Sequence, residues 1–342
     1  MNLLLILAVV FGTLVLVRLA NVAQLAAKLS GENEEDEQDK DNRINGYGLM
    51  IFLVVGMILL GYMMWKYTPY MLPVAASEHG VEIDHLMNIN WVVIFIVFII
   101  TQFLLFGFAF KYKFDRNRRS FYFHDNNKLE AVWTVIPTIV LASLITTGLL
   151  EWNKITNAAE KKDGMVVQLY GKQFDWTARY SGKDNTLGKS SFRLIADNNA
   201  LGMDTLDPNG FDDIATKELY LPVGMPIEMM INSRDVIHSV YLPHFRVQMN
   251  AVPGMTTRFH FKPTITTARM REITKKENFD YILLCNKICG VAHYNMKMKV
   301  VVVSPEEFKQ YIKEAKPAFE KAIPEAPAVA TAKESSKIVA IK

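Results

Sequence analysis

Both cysteines of this 342-residue chain lie within one twelve-residue stretch, Cys285-Asn-Lys-Ile-Cys289-Gly-Val-Ala-His293-Tyr-Asn-Met296. Two thiols, an imidazole and a thioether this close together are donors for a soft or borderline metal, and copper suits all of them. Two other readings stand beside that one. A pair of cysteines in an exported domain commonly closes a disulfide. A structural zinc site takes four closed ligands, commonly from two separated pairs, and methionine is not one of them. Cys-x3-Cys alone does not separate disulfide from metal, but the G-x-x-H-x-x-M that follows favours a metal. A second histidine from elsewhere would complete the set.

The elements that must position this stretch divide at about residue 151. Half of the residues are hydrophobic, and the excess is gathered in four apolar blocks before that point, with the composition of a soluble domain after it. A net charge of +3 without a basic, aromatic-interleaved patch gives no sign of a nucleic-acid partner. No Cys-x-x-Cys-His occurs, so the chain carries no covalently attached c-type haem.

Block one, Leu3 to Val17, lacks the positive leader of a signal peptide and reads as a retained span, with a membrane-surface helix as the alternative. The acidic run from Gly31 to Arg43 reads as a solvated connector. Blocks two, Tyr47 to Trp65, and three, Ile89 to Phe110, are uncharged and long enough to cross a bilayer, joined by a loop from Lys66 to Asn88. Lys111, Lys113, Arg116, Arg118, Arg119 and Lys128 place the next loop in the cytoplasm, so block four, Ala131 to Leu150, leads outward. With that loop inside, parity puts the acidic connector in the cytoplasm too. Beyond it, Met165 to Tyr170, Phe192 to Ala196, Glu218 to Leu221, Ile227 to Ile231, Thr257 to Phe261 and Lys297 to Val303 predict strands of an antiparallel sandwich or barrel. Lys183 to Thr216 reads as loop, and a short helix precedes an Ala, Pro, Lys and Glu-rich tail from about Ala315.

The metal-type loop resembles the copper loop of subunit II of haem-copper cytochrome oxidases, C-x-E-x-C-G-x-x-H-x-x-M. Upstream, Asp235-Val-Ile-His238-Ser-Val-Tyr-Leu-Pro243 resembles the family's D-V-x-H-S-x-x-x-P. The pattern can be followed from about Asp125 to Val303, roughly half of the chain. The resemblance implies a membrane-anchored α+β protein: a transmembrane hairpin with one or two extra N-terminal spans, then a cupredoxin-like antiparallel β-sandwich. The expected division is 1–65 extra membrane segments and connector, 89–150 hairpin, 160–314 copper domain and 315–342 mobile tail.

By the same resemblance the loop holds the dinuclear CuA centre. Cys285 and Cys289 bridge two coppers, His238 and His293 each bind one, Met296 is a weak axial ligand, and the backbone carbonyl of Lys287 is the remaining contact. Where the family carries Ser-Glu, this chain has Asn286-Lys287; an ammonium cannot replace the carboxylate that helps hold an interface magnesium, so another residue would have to supply it. Gly171-Lys-Gln-Phe174-Asp-Trp176 resembles the aromatic run where cytochrome c delivers electrons, with Phe174 in place of the family's Trp. That change suggests an altered donor surface, such as one for a membrane-attached c-type cytochrome in a larger assembly; a buried strand aromatic is the plain alternative for Phe174 and Trp176. Glu130, in His124-Asp-Asn-Asn-Lys-Leu-Glu130-Ala-Val-Trp-Thr-Val-Ile-Pro137, occupies the family's position near a proton-uptake channel, or is simply an acid favoured at a helix start. Asn250-Ala-Val-Pro-Gly254 resembles the family's D-x-x-P-G interface stretch, and His79, His85, His244 and His260 read as surface or packing residues.

The implied function is electron input to a respiratory oxidase in a bacterial inner membrane. The copper domain faces outward, electrons come from a c-type cytochrome, and the partners are catalytic subunit I and other oxidase subunits. Three alternatives remain: the same role beside a nitric-oxide-reducing subunit, a structural quinol-oxidase subunit lacking copper, and a copper-delivery protein.

Overall fold

Apolar runs of about twenty residues must satisfy their own backbone groups in lipid, and in the computed structural model each is helical. The structure describes residues 2–29, 34–115, 117–119, 121–156, 164–315 and 318. Arg116, the start of the acidic connector at Gly31, and the expected tail other than Ala315 and Ala318 lie outside the described residues. The helices are α1 (Asn2–Leu29), α2 (Glu34–Met71), α3 (Glu78–Lys111) and α4 (Asn127–Thr156). Among the described residues α2, α3 and α4 are long and apolar enough to cross a membrane, while the apolar run of α1, Val10–Ala26, is shorter.

Two connectors differ from expectation. The acidic run is helical from Glu34 and forms the first turns of α2. Glu, Gln and Lys are good helix formers, and acids are favoured at a helix N-terminus. The loop expected over Lys66 to Asn88 shrinks to residues 72–77, because α2 runs on to Met71 and α3 starts at Glu78. Ser77 sets that start: its hydroxyl accepts the Gly80 N–H at 3.1 Å and donates to the Phe245 carbonyl at 2.7 Å.

The chain forms two compact units, residues 1–72 with 89–139 and residues 73–88 with 140–342. In the first, Tyr47 meets Phe110 at 5.2 Å between ring centres and Phe52 meets Phe106 at 5.6 Å. The second is a β-sandwich. One sheet has the order β3-β2-β1-β5-β8, from β1 (Met165–Lys172), β2 (Asp175–Tyr180), β3 (Ile214–Thr216), β5 (Ile227–Ser233) and β8 (Thr257–Phe261). The other runs β4-β10-β9-β6-β7, from β4 (Leu219–Pro222), β6 (His238–Leu242), β7 (Val247–Ala251), β9 (Tyr281–Cys285) and β10 (Lys297–Val303). Helix α5 (Thr267–Thr274) lies between β8 and β9, and α6 (Pro305–Glu314) follows β10.

Alternation builds the core. In β5 the residues Ile227, Met229 and Ile231 are buried while their neighbours are half-buried, as the two-residue strand period requires. They share one apolar cluster with Val167 and Leu169 of β1 and with Leu219, Val240, Leu283 and Val300 of the second sheet.

Two features of the expected sandwich are corrected. It is not wholly antiparallel: β1 pairs with β5, and β4 with β10, in parallel. Parallel neighbours need long crossovers, and here β2, β3 and β4 fill the chain between β1 and β5. Phe192 to Ala196 is not a strand; a 3-10 turn occupies Phe192–Leu194, with the Ser191 hydroxyl accepting the Arg193 N–H. Phe192 is 74% exposed, so the segment has no apolar face to bury in a sheet.

The long segment between β2 and β3 is pinned by a buried ion pair. The Arg179 guanidinium, fully buried, donates to Asp213 at 3.0 Å through Nε, to Gln168 at 3.1 Å and to the Gly188 carbonyl at 2.7 Å. Asp213 also accepts the Gly188 N–H at 3.0 Å. Removing one member strands a buried charge, so Asp213→Ala should lower unfolding stability by about 3–5 kcal/mol, read from the denaturant midpoint of the full chain.

His244 supplies a pH dependence. Burial, and then the nearby Arg246, hold its pKa down at about 4. Its ring lies edge-on to Phe279 and Tyr281 at 5.1 and 5.3 Å. An unfolded chain takes up this proton near pH 6.5 and the native one resists, so stability falls as pH drops from about 6.5 through 4, on the order of 2 kcal/mol after allowing for partial exposure. His244→Phe should flatten that part of the stability-versus-pH curve.

Candidate metal centre

The register of β6 against β9 assembles the donors. Val240 lies opposite Cys285 and Tyr241 opposite Leu284, which sets the first residue of β6, His238, beside the last residue of β9, Cys285. One residue further on, the Asn286 N–H donates to the Ser239 carbonyl at 3.1 Å. The loop then leaves the sheet and returns at β10. Its ends are joined by the Cys285 N–H donating to the Met296 carbonyl at 3.0 Å, and a 3-10 turn at His293–Asn295 brings the chain back.

Within this frame the donors converge. Cys285 Sγ and Cys289 Sγ are 3.8 Å apart, Cys285 Sγ and His238 Nδ1 3.8 Å, Cys289 Sγ and His293 Nδ1 3.5 Å, and Cys289 Sγ and Met296 Sδ 3.7 Å. The Lys287 carbonyl lies 3.2 Å from Cys285 Sγ. A disulfide needs about 2.05 Å between sulfurs; both thiols are free and buried. Two donors on one tetrahedral metal, at about 2.0–2.3 Å each, stand about 3.3–3.8 Å apart, so the set fits soft-metal coordination. Among the described residues His238, Cys285 and Cys289 are the one group of His, Cys and carboxylate side chains whose donor atoms all lie within 4.8 Å of one another. Burial, and then the neighbouring Cys285, push the Cys289 thiol up to about 11, so a metal entering here must displace its proton.

The first histidine is oriented from behind. His238 is fully buried, and its Nε2 lies 2.8 Å from an Asp235 carboxylate oxygen. A carboxylate accepts, so Nε2 carries the proton and Nδ1 turns its lone pair to the cysteines, the arrangement by which carboxylates orient metal-binding histidines. Asp235 is itself held by the backbone N–H groups of Gln173 and Val236, each at 2.7 Å. The Gln173 side chain donates to the Cys289 carbonyl, tying the turn between β1 and β2 to the loop. Gln173 and Asp235 had no assigned role from sequence; both sit inside stretches singled out there, and their partners are distant in the chain.

The remaining candidates are placed differently. Trp176 is 1% exposed, and its ring meets that of His238 at 5.8 Å. Phe174 is half-buried beside the loop, where a Cβ built on Gly290 would lie 2.8 Å from its ring. The Lys287 side chain is exposed. Glu130 is in the first turn of α4, exposed, and in the other compact unit. It is not part of this cluster.

Comparison with known proteins agrees with this architecture. The chain matches the transmembrane domain of cytochrome c oxidase subunit II over residues 64–149 and the periplasmic domain over residues 165–304. It is 30% identical over 272 residues to the alternative cytochrome c oxidase subunit 2 of Bradyrhizobium diazoefficiens, covering 78% of this chain and 91% of that one. With cytochrome c oxidase subunit 2 of Thermostichus vulcanus it shares 26% identity over 267 residues, 70% of this chain and 77% of that one. A solved periplasmic domain of cytochrome oxidase subunit II from Bradyrhizobium japonicum aligns with TM-score 0.31 and 23% identity, covering 45% of this chain and 95% of that domain. With both of its domains matched, and with a soft-metal donor set at the strand ends of the second sheet, this membrane-anchored chain belongs to the cytochrome c oxidase subunit II family.

Proposed function

We propose that this chain is the electron-input subunit of a respiratory haem-copper oxidase and that its loop holds a dinuclear CuA centre. The observation that carries the proposal is the pairing of each thiol with its own imidazole, Cys285 with His238 and Cys289 with His293, across sulfurs 3.8 Å apart. In this reading Cys285, Cys289, His238 and His293 would hold the copper pair, with Met296 and the Lys287 carbonyl as weaker contacts. The copper pair would supply a one-electron store in which charge spreads over two metals, so that little geometry changes on reduction. The chain's own residues supply rigidity: the Asp235 carboxylate fixes the His238 ring, and Gln173 restrains the Cys289 carbonyl.

The finer roles belong to the same proposal. A c-type cytochrome delivers electrons near Phe174 and Trp176, and haem in catalytic subunit I accepts them. Oxygen is reduced to water there, with proton pumping, and Glu130 serves proton uptake from the cytoplasmic side. The setting is a bacterial inner membrane. The exposed ammonium at Lys287 removes the side chain that would hold an interface magnesium.

The test is a visible and paramagnetic resonance spectrum of the copper-loaded full chain in detergent. We expect a purple product whose hyperfine pattern arises from one electron shared by two coppers, and loss of that sharing in Cys289→Ser. A colourless chain with a Cys285–Cys289 disulfide under reducing, copper-replete conditions would overturn the proposal.

Gly290 gives an independent check. Its φ is +139°, and an added Cβ would meet the Gln173 amide and the Phe174 ring at 2.8 Å. Gly290→Ala should strain the loop by about 1–3 kcal/mol and lower retained copper per chain, measured after dialysis against a chelator.

A further inference from the structure

The second compact unit contains another group of donors, sharing no residue with the loop. A cavity of about 560 Å³ is lined by Glu78, Glu82, Glu151, Glu228 and His260, with Lys154 and Lys262 at its walls. His260 lies on β8 opposite Glu228 of β5 and is 2% exposed. Its Nδ1 is 2.9 Å from the carbonyl oxygen of Ile155. A carbonyl only accepts, so Nδ1 carries a proton, and in the neutral ring the lone pair is on Nε2. That atom is buried without a hydrogen-bond partner, 4.0 Å from Glu228 Oε2. The other Glu228 oxygen is taken by Arg258, which leaves Oε2 on the His260 side.

An imidazole with one nitrogen fixed by a backbone carbonyl and the other bare beside a carboxylate is the arrangement of a metal-binding histidine. We propose that His260 Nε2, Glu228 and Glu82 form a site for a borderline divalent cation, zinc in chemical class. Imidazole and carboxylate oxygens are ordinary zinc donors, with water able to fill a fourth position. Glu82 is the third donor because the other two acids are engaged: Glu78 faces Lys262 at 3.3 Å and Glu151 faces Lys154 at 2.5 Å. Donors on one tetrahedral zinc stand roughly 3.3 Å apart, so the observed 4.0 Å between His260 and Glu228 closes by a small turn of the Glu228 side chain. The exposed Glu82 side chain swings in as the ion binds. The ion would tie strands β5 and β8 to the first turns of α3.

The test is zinc binding to the full chain in detergent, loaded with copper and then stripped of loose metal on a chelating resin. Calorimetric titration with Zn²⁺ should give one further ion per chain, and X-ray absorption at the zinc edge should show nitrogen and oxygen neighbours without sulfur. His260→Gln and Glu82→Gln should each weaken binding by roughly 10-fold or more, with unchanged near-ultraviolet dichroism. Should His260→Gln fail to fold, the exposed Glu82→Gln carries the test alone. Glu306→Gln, outside the cavity, should bind as the parent does. No further zinc, sulfur in its coordination shell, or equal affinity in the Glu82→Gln variant would overturn the proposal.

Discussion

The antiparallel register between β6 and β9 is the constraint on which the centre depends. It sets Val240 against Cys285 and thereby sets His238, at the strand start, beside the same cysteine. A slip of one residue would turn Cys285 to the other face of the sheet and break the Cys285–Met296 closure of the loop. The register is well specified because Val240, Leu242, Tyr281 and Leu283 are all buried in the shared core. Core packing and the placement of His238 and Cys285 are therefore set by the same register.

Around that pair, restraint comes from main-chain groups and short polar links. The loop is closed by Cys285 N–H and Met296 O, fixed to β6 by Asn286 N–H and Ser239 O, and held from the side by Gln173. Each link satisfies a backbone group beside the buried cysteines. The result is a donor set whose spacing is tied by hydrogen bonds to the strands around it.

Much of this was legible in the chain. Apolar length marked three long helices, and β-rich composition between turn residues marked β8 and β10 with the observed bounds. Cys285, Cys289, His293 and Met296 could be picked out by type and spacing, and His238 by its place in a stretch resembling the family's D-V-x-H-S pattern. What escaped were features fixed by distant partners. The pairing of β1 with β5 joins segments about sixty residues apart with no local signal. Strands β6 and β9 were hidden because His238, Ser239 and Cys285 draw attention as donors and loop residues while also pairing in a sheet. The 3-10 turn at Phe192–Leu194 has strand-like residue types but no face to bury. The orienting roles of Gln173 and Asp235 needed three segments to meet.

Strand β6 ends in the turn Pro243–Phe245, followed by Arg246 in a left-handed conformation. The Arg246 guanidinium grips both Asp84 oxygens, at 2.7 and 2.8 Å, and the Pro73 carbonyl at 2.7 Å, so it clamps this end of the strand to the first turns of α3. His238 stands at the opposite end, about four residue steps or roughly 14 Å away. A strand fixed at one end and carrying a ligand at the other is a ruler. Because tunnelling rates fall steeply with distance, a strand paired with β7 along its whole length would hold the His238 imidazole at a fixed span from the first turns of α3.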